Sequence, residues 1–210
     1  MIEEIKAIYR NRTPHILGHE SVAKAAVMVP LIQNKDGLSV LFQVRGHQLR
    51  RQPGEICFPG GRLEPDDLSE ESAAIRETCE ELGIGADEID LIAPLDIFVT
   101  THTILYPYLC QLKDDIHLYP DPEEVAEVFT VPLKFLMNYE PELYYIPLEM
   151  KPPEDFPFEL IPNGKSYKWR KAKIAEYFYR YEDKVIWGMT ARILHDFVER
   201  MKREENLDGA

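Results

Sequence analysis

The sequence predicts an α/β sandwich in which strands alternate with helices and a strand and helix extend the C-terminal end. Three observations carry that prediction. Short apolar runs of strand length recur between Gly, Pro, Asn and Asp; two longer segments place apolar residues at helical spacing; and 45 % apolar with 29 % charged residues is ordinary globular composition. A chain of 210 residues without internal repeats fits one domain, with a core at about 22–136 and an extension at about 137–210.

Taken in order, residues 22–33 (VAKAAVMVPLIQ) read as a buried strand, Asn34, Lys35, Asp36 and Gly37 supply turn chemistry, and 38–45 complete a hairpin. Residues 51–67 are a Gly/Pro-rich loop, and 68–82 carry a helical pattern. Residues 89–99 and 103–112 read as strands whose Pro94 and Pro107 confine the ladders to edges or bulges. An acidic turn follows, then a strand leading into a short helix by residue 136, and 143–150 are strand-like. Residues 151–157 break regular structure with proline, and Asn163-Gly164 carries a two-residue hairpin signal between 158–162 and 165–170. Residues 173–181 read as a further strand. A helix over 186–202 ends the pattern, with Ile186, Met189, Ile193, Leu194, Phe197 and Met201 at helical spacing.

Charge narrows the function. Lys and Arg number 24 against 37 Asp and Glu, a net charge of -13, which argues against a general nucleic-acid binder. An anionic substrate would need positive charge supplied locally. Cys57, Cys79 and Cys110 form no CxxC pair, so neither a disulfide framework nor a zinc ribbon is expected and a reducing cytoplasm fits best. The first residues are acidic where a signal peptide is basic, and the longest apolar stretch, 25–32, is far short of the roughly 20 residues a membrane span needs.

Residues 60–83, GGRLEPDDLSEESAAIRETCEELG, concentrate the chemistry. Asp67 followed by Glu70 resembles a capping box, and Gly83 stands where a helix ends. At about 100° per residue, Leu68, Ser72, Ile75, Cys79 and Leu82 fall on one side, expected to face the core. On the same wheel Glu81 lies about 40°, Glu80 about 60° and Glu70 about 20° from Glu77. Like charges at these spacings each cost roughly 0.2–0.5 kcal/mol. Two readings accommodate such a face: a solvated acidic surface screened by Arg76, or a divalent-cation site, since carboxylate oxygens are the hard ligands Mg²⁺ prefers.

The segment resembles the Nudix box, whose pattern is G, five residues, E, seven residues, then REUxEExGU with U aliphatic. This chain has Gly61 and then Arg76-Glu77-Thr78-Cys79-Glu80-Glu81-Leu82-Gly83-Ile84. It departs in Thr78, and in the 14 residues between Gly61 and Arg76, which leave Asp67 as the nearest equivalent of the early box glutamate. The longer spacing and the preceding LFQVRGHQLRRQPGEICFPGG are similar to the coenzyme A pyrophosphatase branch, with Gln52 where many relatives have histidine.

The resemblance implies a Nudix α/β/α sandwich with a mixed sheet and an Mg²⁺- or Mn²⁺-dependent hydrolase of nucleoside diphosphate derivatives. It implies coenzyme A or an acyl-coenzyme A as substrate, with ADP-ribose, other nucleoside diphosphate derivatives or a non-catalytic regulator as alternatives. Glu77 and Glu81 would be the main metal ligands, Glu80 a ligand or a base acting through water, and Arg76 the residue that orients them. Gly60 and Gly61 would let the backbone approach metal or phosphate, and Arg45, Arg50, Arg51 and Arg62 would bind phosphate. Glu124, then Glu127, are candidates for a downstream base. Cys57 and Cys79 read as packing residues. The expected partner is a small nucleotide diphosphate, with neither nucleic acid nor membrane, and a homodimer is an open option.

Overall fold

A computed structural model of the chain describes residues 1–14, 16–19, 21–35 and 37–208, with side chains through residue 204. The elements in chain order are α1 (Ile2–Tyr9), β1 (Ala23–Asn34), β2 (Gly37–Arg45), β3 (Ile56–Cys57), β4 (Gly60–Arg62), α2 (Glu70–Leu82), β5 (Ile89–Pro94), β6 (Phe98–Val99), β7 (Thr103–Leu112), β8 (Val125–Pro132), α3 (Leu133–Asn138), β9 (Glu142–Leu148), β10 (Ala172–Tyr181), β11 (Lys184–Ile186) and α4 (Gly188–Asp208). The chain divides into two compact units, Met1–Leu31 with Pro59–Asp121 and Ile32–Phe58 with Pro122–Ala210. β1 and β2 are consecutive strands, as the hairpin reading expects; Asp36 of their turn lies outside the described residues.

The first unit holds the mixed pairing. β1 runs parallel to β7, from Ala23 opposite Thr103 to Leu31 opposite Gln111, and antiparallel to β4, while β5 and β6 pair antiparallel with β7. A parallel pair needs a crossover, and α2, which packs against β4 and β7, lies within it. The core draws on Ala26, Met28, Val29, Ala73, Ala74, Leu82, Cys110 and Leu112, all fully buried. β7 lies between β1 and β5, so Pro107 sits in an interior strand rather than at an edge. It is tolerated because β5 stops pairing at Tyr108 and β6 pairs from Leu105, so the missing N–H falls where the ladder is interrupted. Its carbonyl still accepts from Leu95 N at 2.8 Å.

In the second unit β2 runs antiparallel between β3 and β8, and its residues Ser39 to Gln43 are buried on both faces. Phe42 stacks on Phe58 and Phe129 at ring centroid distances of 5.0 and 5.6 Å. β9, β10 and β11 form a separate antiparallel sheet on which α4 packs through β10, and α3 packs against β2, β8 and α4. α4 starts at Gly188, later than its predicted residue 186, because Ile186 is taken by β11. Its buried side is Ala191, Ile193, Leu194, Phe197 and Val198, with Met189 left 38 % exposed.

Two further expectations are corrected. The loop 51–67 contains β3 and β4, strands of two and three residues that are too short to leave a periodic signal. Asn163 and Gly164 do take the positive φ values of 67° and 48° that the hairpin signal requires, but the flanks form 3-10 turns at Phe158–Leu160 and Gly164–Ser166. Local bonds such as Leu160 N to Pro157 O at 3.0 Å replace a ladder, in which Pro157 and Pro162 could not donate. The acidic N-terminal stretch forms α1, which buries no residue. Among the described residues no helix is long and apolar enough to cross a membrane.

Candidate active site

Helix α2 begins at Ser69, not at Asp67. Ser69 Oγ accepts from Ser72 N at 3.1 Å, and Ser72 Oγ accepts from Ser69 N at 2.9 Å, so the capping box is Ser69 with Ser72 rather than Asp67 with Glu70. Asp67 has another task. Its two carboxylate oxygens accept from Arg76 Nε and Nη2, each at 3.0 Å, and Oδ2 also accepts from Glu64 N at 2.7 Å. These bonds, that to Arg76 first, hold the Asp67 carboxyl below its ordinary range and push the Arg76 guanidinium further up. The helix ends at Gly83, whose left-handed backbone at φ 64° closes the last turn.

The buried side of α2 is Ala73, Ala74, Thr78, Glu81 and Leu82. This corrects the side read from apolar spacing: Leu68 precedes the helix and is 97 % exposed, and Ile75 and Cys79 are only half-buried. The face is turned toward the polar members of the box. Thr78 Oγ1 satisfies itself within the helix by donating to Ala74 O at 2.6 Å. Glu81 is 2 % exposed and its Oε2 accepts from Gly60 N at 2.8 Å.

Arg76 gathers the remaining carboxylates. Nη1 donates to Glu77 Oε1 at 2.9 Å and Glu80 Oε2 at 3.1 Å, and Nη2 also donates to Arg62 O at 3.3 Å. The Glu77 and Asp67 side chains are 15 % and 6 % exposed, whereas Glu80 is 59 % exposed. Gly61 and Gly60 make the arrangement possible. A Cβ on Gly61 would overlap the Glu77 carboxyl, and one on Gly60, whose φ is 143°, would overlap the backbone of Ala26 and Val27. The structure therefore brings Gly60, Gly61, Arg62, Arg76, Glu77, Glu80 and Glu81 together within the first unit, with Arg62 contributing its carbonyl.

Arg45, Arg50, Arg51, Glu124 and Glu127 belong to the second unit. Arg45 Nε donates to Arg51 O at 3.4 Å, and Arg50 and Arg51 are exposed. Glu124 is exposed and its backbone carbonyl accepts from Gly46 N at 2.7 Å, while Gln48 Nε2 donates to Pro122 O at 3.1 Å and Glu123 O at 2.6 Å. These bonds tie the arginine loop to the acidic turn. Gln48 was not marked by any sequence pattern. Glu127 is held by Lys184 Nζ at 2.7 Å, so it is a paired carboxylate rather than an available base. Burial raises the Cys79 thiol and pushes the Cys110 thiol up to about 12, which suits packing and not thiolate chemistry.

Among the described residues no three His, Cys, Asp or Glu side chains converge closely enough to hold a cation as they stand, since Arg76 occupies oxygens of both Glu77 and Glu80. The donor chemistry nevertheless fits a hard divalent ion. Three carboxylates fall within five residues of one helix, one of them is buried, and a side-chain-free backbone at Gly60 and Gly61 lies against them.

The NUDIX domain profile matches residues 22–147. The chain belongs to the Nudix family. Peroxisomal coenzyme A diphosphatase NUDT7 of Mus musculus is 36 % identical over 128 residues, 60 % of this chain and 53 % of that protein. Mitochondrial Nudix hydrolase 15 of Arabidopsis thaliana is 28 % identical over 179 residues, 81 % of this chain and 56 % of that protein. The chain thus spans little more than half the length of either relative. A crystal structure of a MutT/nudix family protein from Enterococcus faecalis resembles it with a TM-score of 0.50 at 19 % identity, over 95 % of this chain and 68 % of that one, which places the fold as a Nudix sandwich.

Proposed function

We propose that the chain, acting as one Nudix domain over residues 1–210, hydrolyses the diphosphate of coenzyme A or an acyl-coenzyme A. Water adds across the P–O–P bridge, leaving 3′,5′-adenosine bisphosphate and a 4′-phosphopantetheine fragment. The observation that carries the reading is Glu81, a carboxylate 2 % exposed and fixed by Gly60 N, beside the carboxylates that Arg76 holds. A buried carboxylate set beside two others on one helix concentrates hard oxygen donors and negative charge at one point, the setting a divalent cation takes. The 36 % identity to a protein named as a coenzyme A diphosphatase supports the substrate.

Glu77, Glu80 and Glu81 would hold Mg²⁺ or Mn²⁺, which when bound supplies charge neutralisation at the phosphates and a more acidic water. The chain's own residues do the rest. Asp67 and Arg76 position Glu77 and Glu80, and Gly60 N fixes Glu81. Glu80, the most exposed of the three, can accept the proton of the attacking water, with Glu124 as the second base. Arg45, Arg50, Arg51 and Arg62 carry the positive charge that a diphosphate and a 3′-phosphate require in a protein of net charge -13. Three cysteines without a CxxC pair suit a reducing compartment such as the cytoplasm, and the active form is a monomer or a homodimer.

A panel of coenzyme A, acetyl-coenzyme A, ADP-ribose, dinucleotides and nucleoside triphosphates, with products identified, tests the substrate. Coenzyme A and its acetyl ester are expected to lead the other substrates in kcat/KM. A large preference for ADP-ribose would replace the substrate, and tight nucleotide binding without any product would make the chain a regulator.

A further inference from the structure

We infer that residues 163–173 form a second binding site, independent of the Nudix reading, which takes a compact phosphorylated nucleotide through exposed cations and aromatic rings. Lys165, Lys168, Arg170, Lys171 and Lys173 place five cations in nine residues, and no Asp or Glu occurs from 163 to 175. The strip's +5 leaves -18 on the rest of a chain whose total is -13. All five are exposed, and none has a carboxylate partner among the described residues. Their mutual repulsion is therefore left uncompensated by the fold.

A merely solvated charge run needs no aromatic frame, and this one has it. Trp169 meets Tyr167 edge-on at 5.0 Å between ring centroids and Phe156 at 5.8 Å, and Phe156 meets Phe158 at 5.0 Å. Ser166 N to Asn163 O at 2.9 Å and Tyr167 N to Gly164 O at 3.0 Å anchor the start, and the far end enters β10, where Lys173 Nζ stands 5.6 Å from the Tyr145 ring centroid. Tyr167 keeps 42 % of its surface exposed, a ring face on which a base can stack.

Size selects the ligand. From Lys165 to Lys173 the chain reaches at most about 28 Å, and beyond a Debye length of about 8 Å a long polyanion would meet the acidic remainder. Nucleic acid and anionic membrane extend past the strip; a mononucleotide carrying two or more phosphates does not.

The experiment titrates ADP into the whole chain in EDTA, with the Trp187→Phe variant so that Trp169 alone reports, at about 0.05 and about 0.2 M salt. Expected are a saturable change in Trp169 fluorescence, affinity about tenfold weaker at the higher salt, and a further loss of at least about tenfold in Lys168→Ser/Arg170→Ser/Lys171→Ser with an unchanged circular dichroism spectrum. Binding that survives Glu81→Gln separates this site from the hydrolytic one. Absence of saturation, equal affinity in the triple variant, equal affinity for inorganic pyrophosphate, or tighter binding of oligothymidylate or phosphatidylserine vesicles would overturn the assignment.

Discussion

On α2, Glu77 and Glu80 share one guanidinium while Glu81 turns from water to a backbone N–H; on residues 165–173, five cations stand in solvent around an aromatic cluster. Both segments crowd like charge, yet only the first answers it from within. Arg76, itself fixed by the two oxygens of Asp67, sets the direction of its carboxylates before any ligand arrives. Preorganisation of that kind is what a site that must stabilise developing charge requires. Among the described residues the basic strip has an aromatic frame and no carboxylate partner, which is the arrangement of a surface that meets its partner from outside. Burial of charge, rather than its density, separates the two.

Glu81 carries the largest expected effect. Glu81→Gln keeps an acceptor for Gly60 N and loses the charge, so steady-state turnover should fall by about a thousandfold or more while the melting curve stays close to that of the parent. Gly61→Ala puts a methyl into the Glu77 carboxyl, and a displacement of that kind lowers kcat by roughly tenfold to a hundredfold. Arg76→Lys cannot serve Asp67 and the two glutamates together; a drop of about tenfold in kcat/KM and a loss of about 1–2 kcal/mol in urea unfolding are expected. Tyr179→Phe, far in character from either charged segment, removes the buried hydroxyl bonded to His195 Nδ1 at 3.0 Å and should cost only about 1 kcal/mol.

The smallest effect is in pH. Burial holds the native His195 below its ordinary 6.5, so the unfolded chain takes up the proton first and stability falls as pH drops below about 6.5, until the native value is passed. Unfolding midpoints measured from pH 7.5 to 5.5 should show that slope, and His195→Gln should flatten it.

Most strands can be placed along the chain because apolar runs and turn residues report them, and α2 because its glutamates keep a fixed spacing, whereas the parallel pairing of β1 with β7 leaves no local mark. The same spacing misassigned the buried side. Apolar periodicity chose Leu68 and Ile75, whereas Thr78 and Glu81 lie inward, and polar residues enter a core where chemistry demands them. Asp67 has the residue type and spacing of a helix cap, but its carboxylate is taken by Arg76, nine residues along. Gln48 acts through backbone carbonyls some 74 residues away, a partnership no local pattern encodes. Asn163-Gly164 took the turn conformation it signals, but two prolines denied the strands.

Holding a divalent ion is the role proposed for the α2 carboxylates. Titrating Mn²⁺ into the substrate-free chain and reading free ion by electron paramagnetic resonance tests it directly. A saturable site that weakens by at least about tenfold in both Glu77→Gln and Glu81→Gln is expected; unchanged binding in the two variants, or no binding in the parent, would rule that role out.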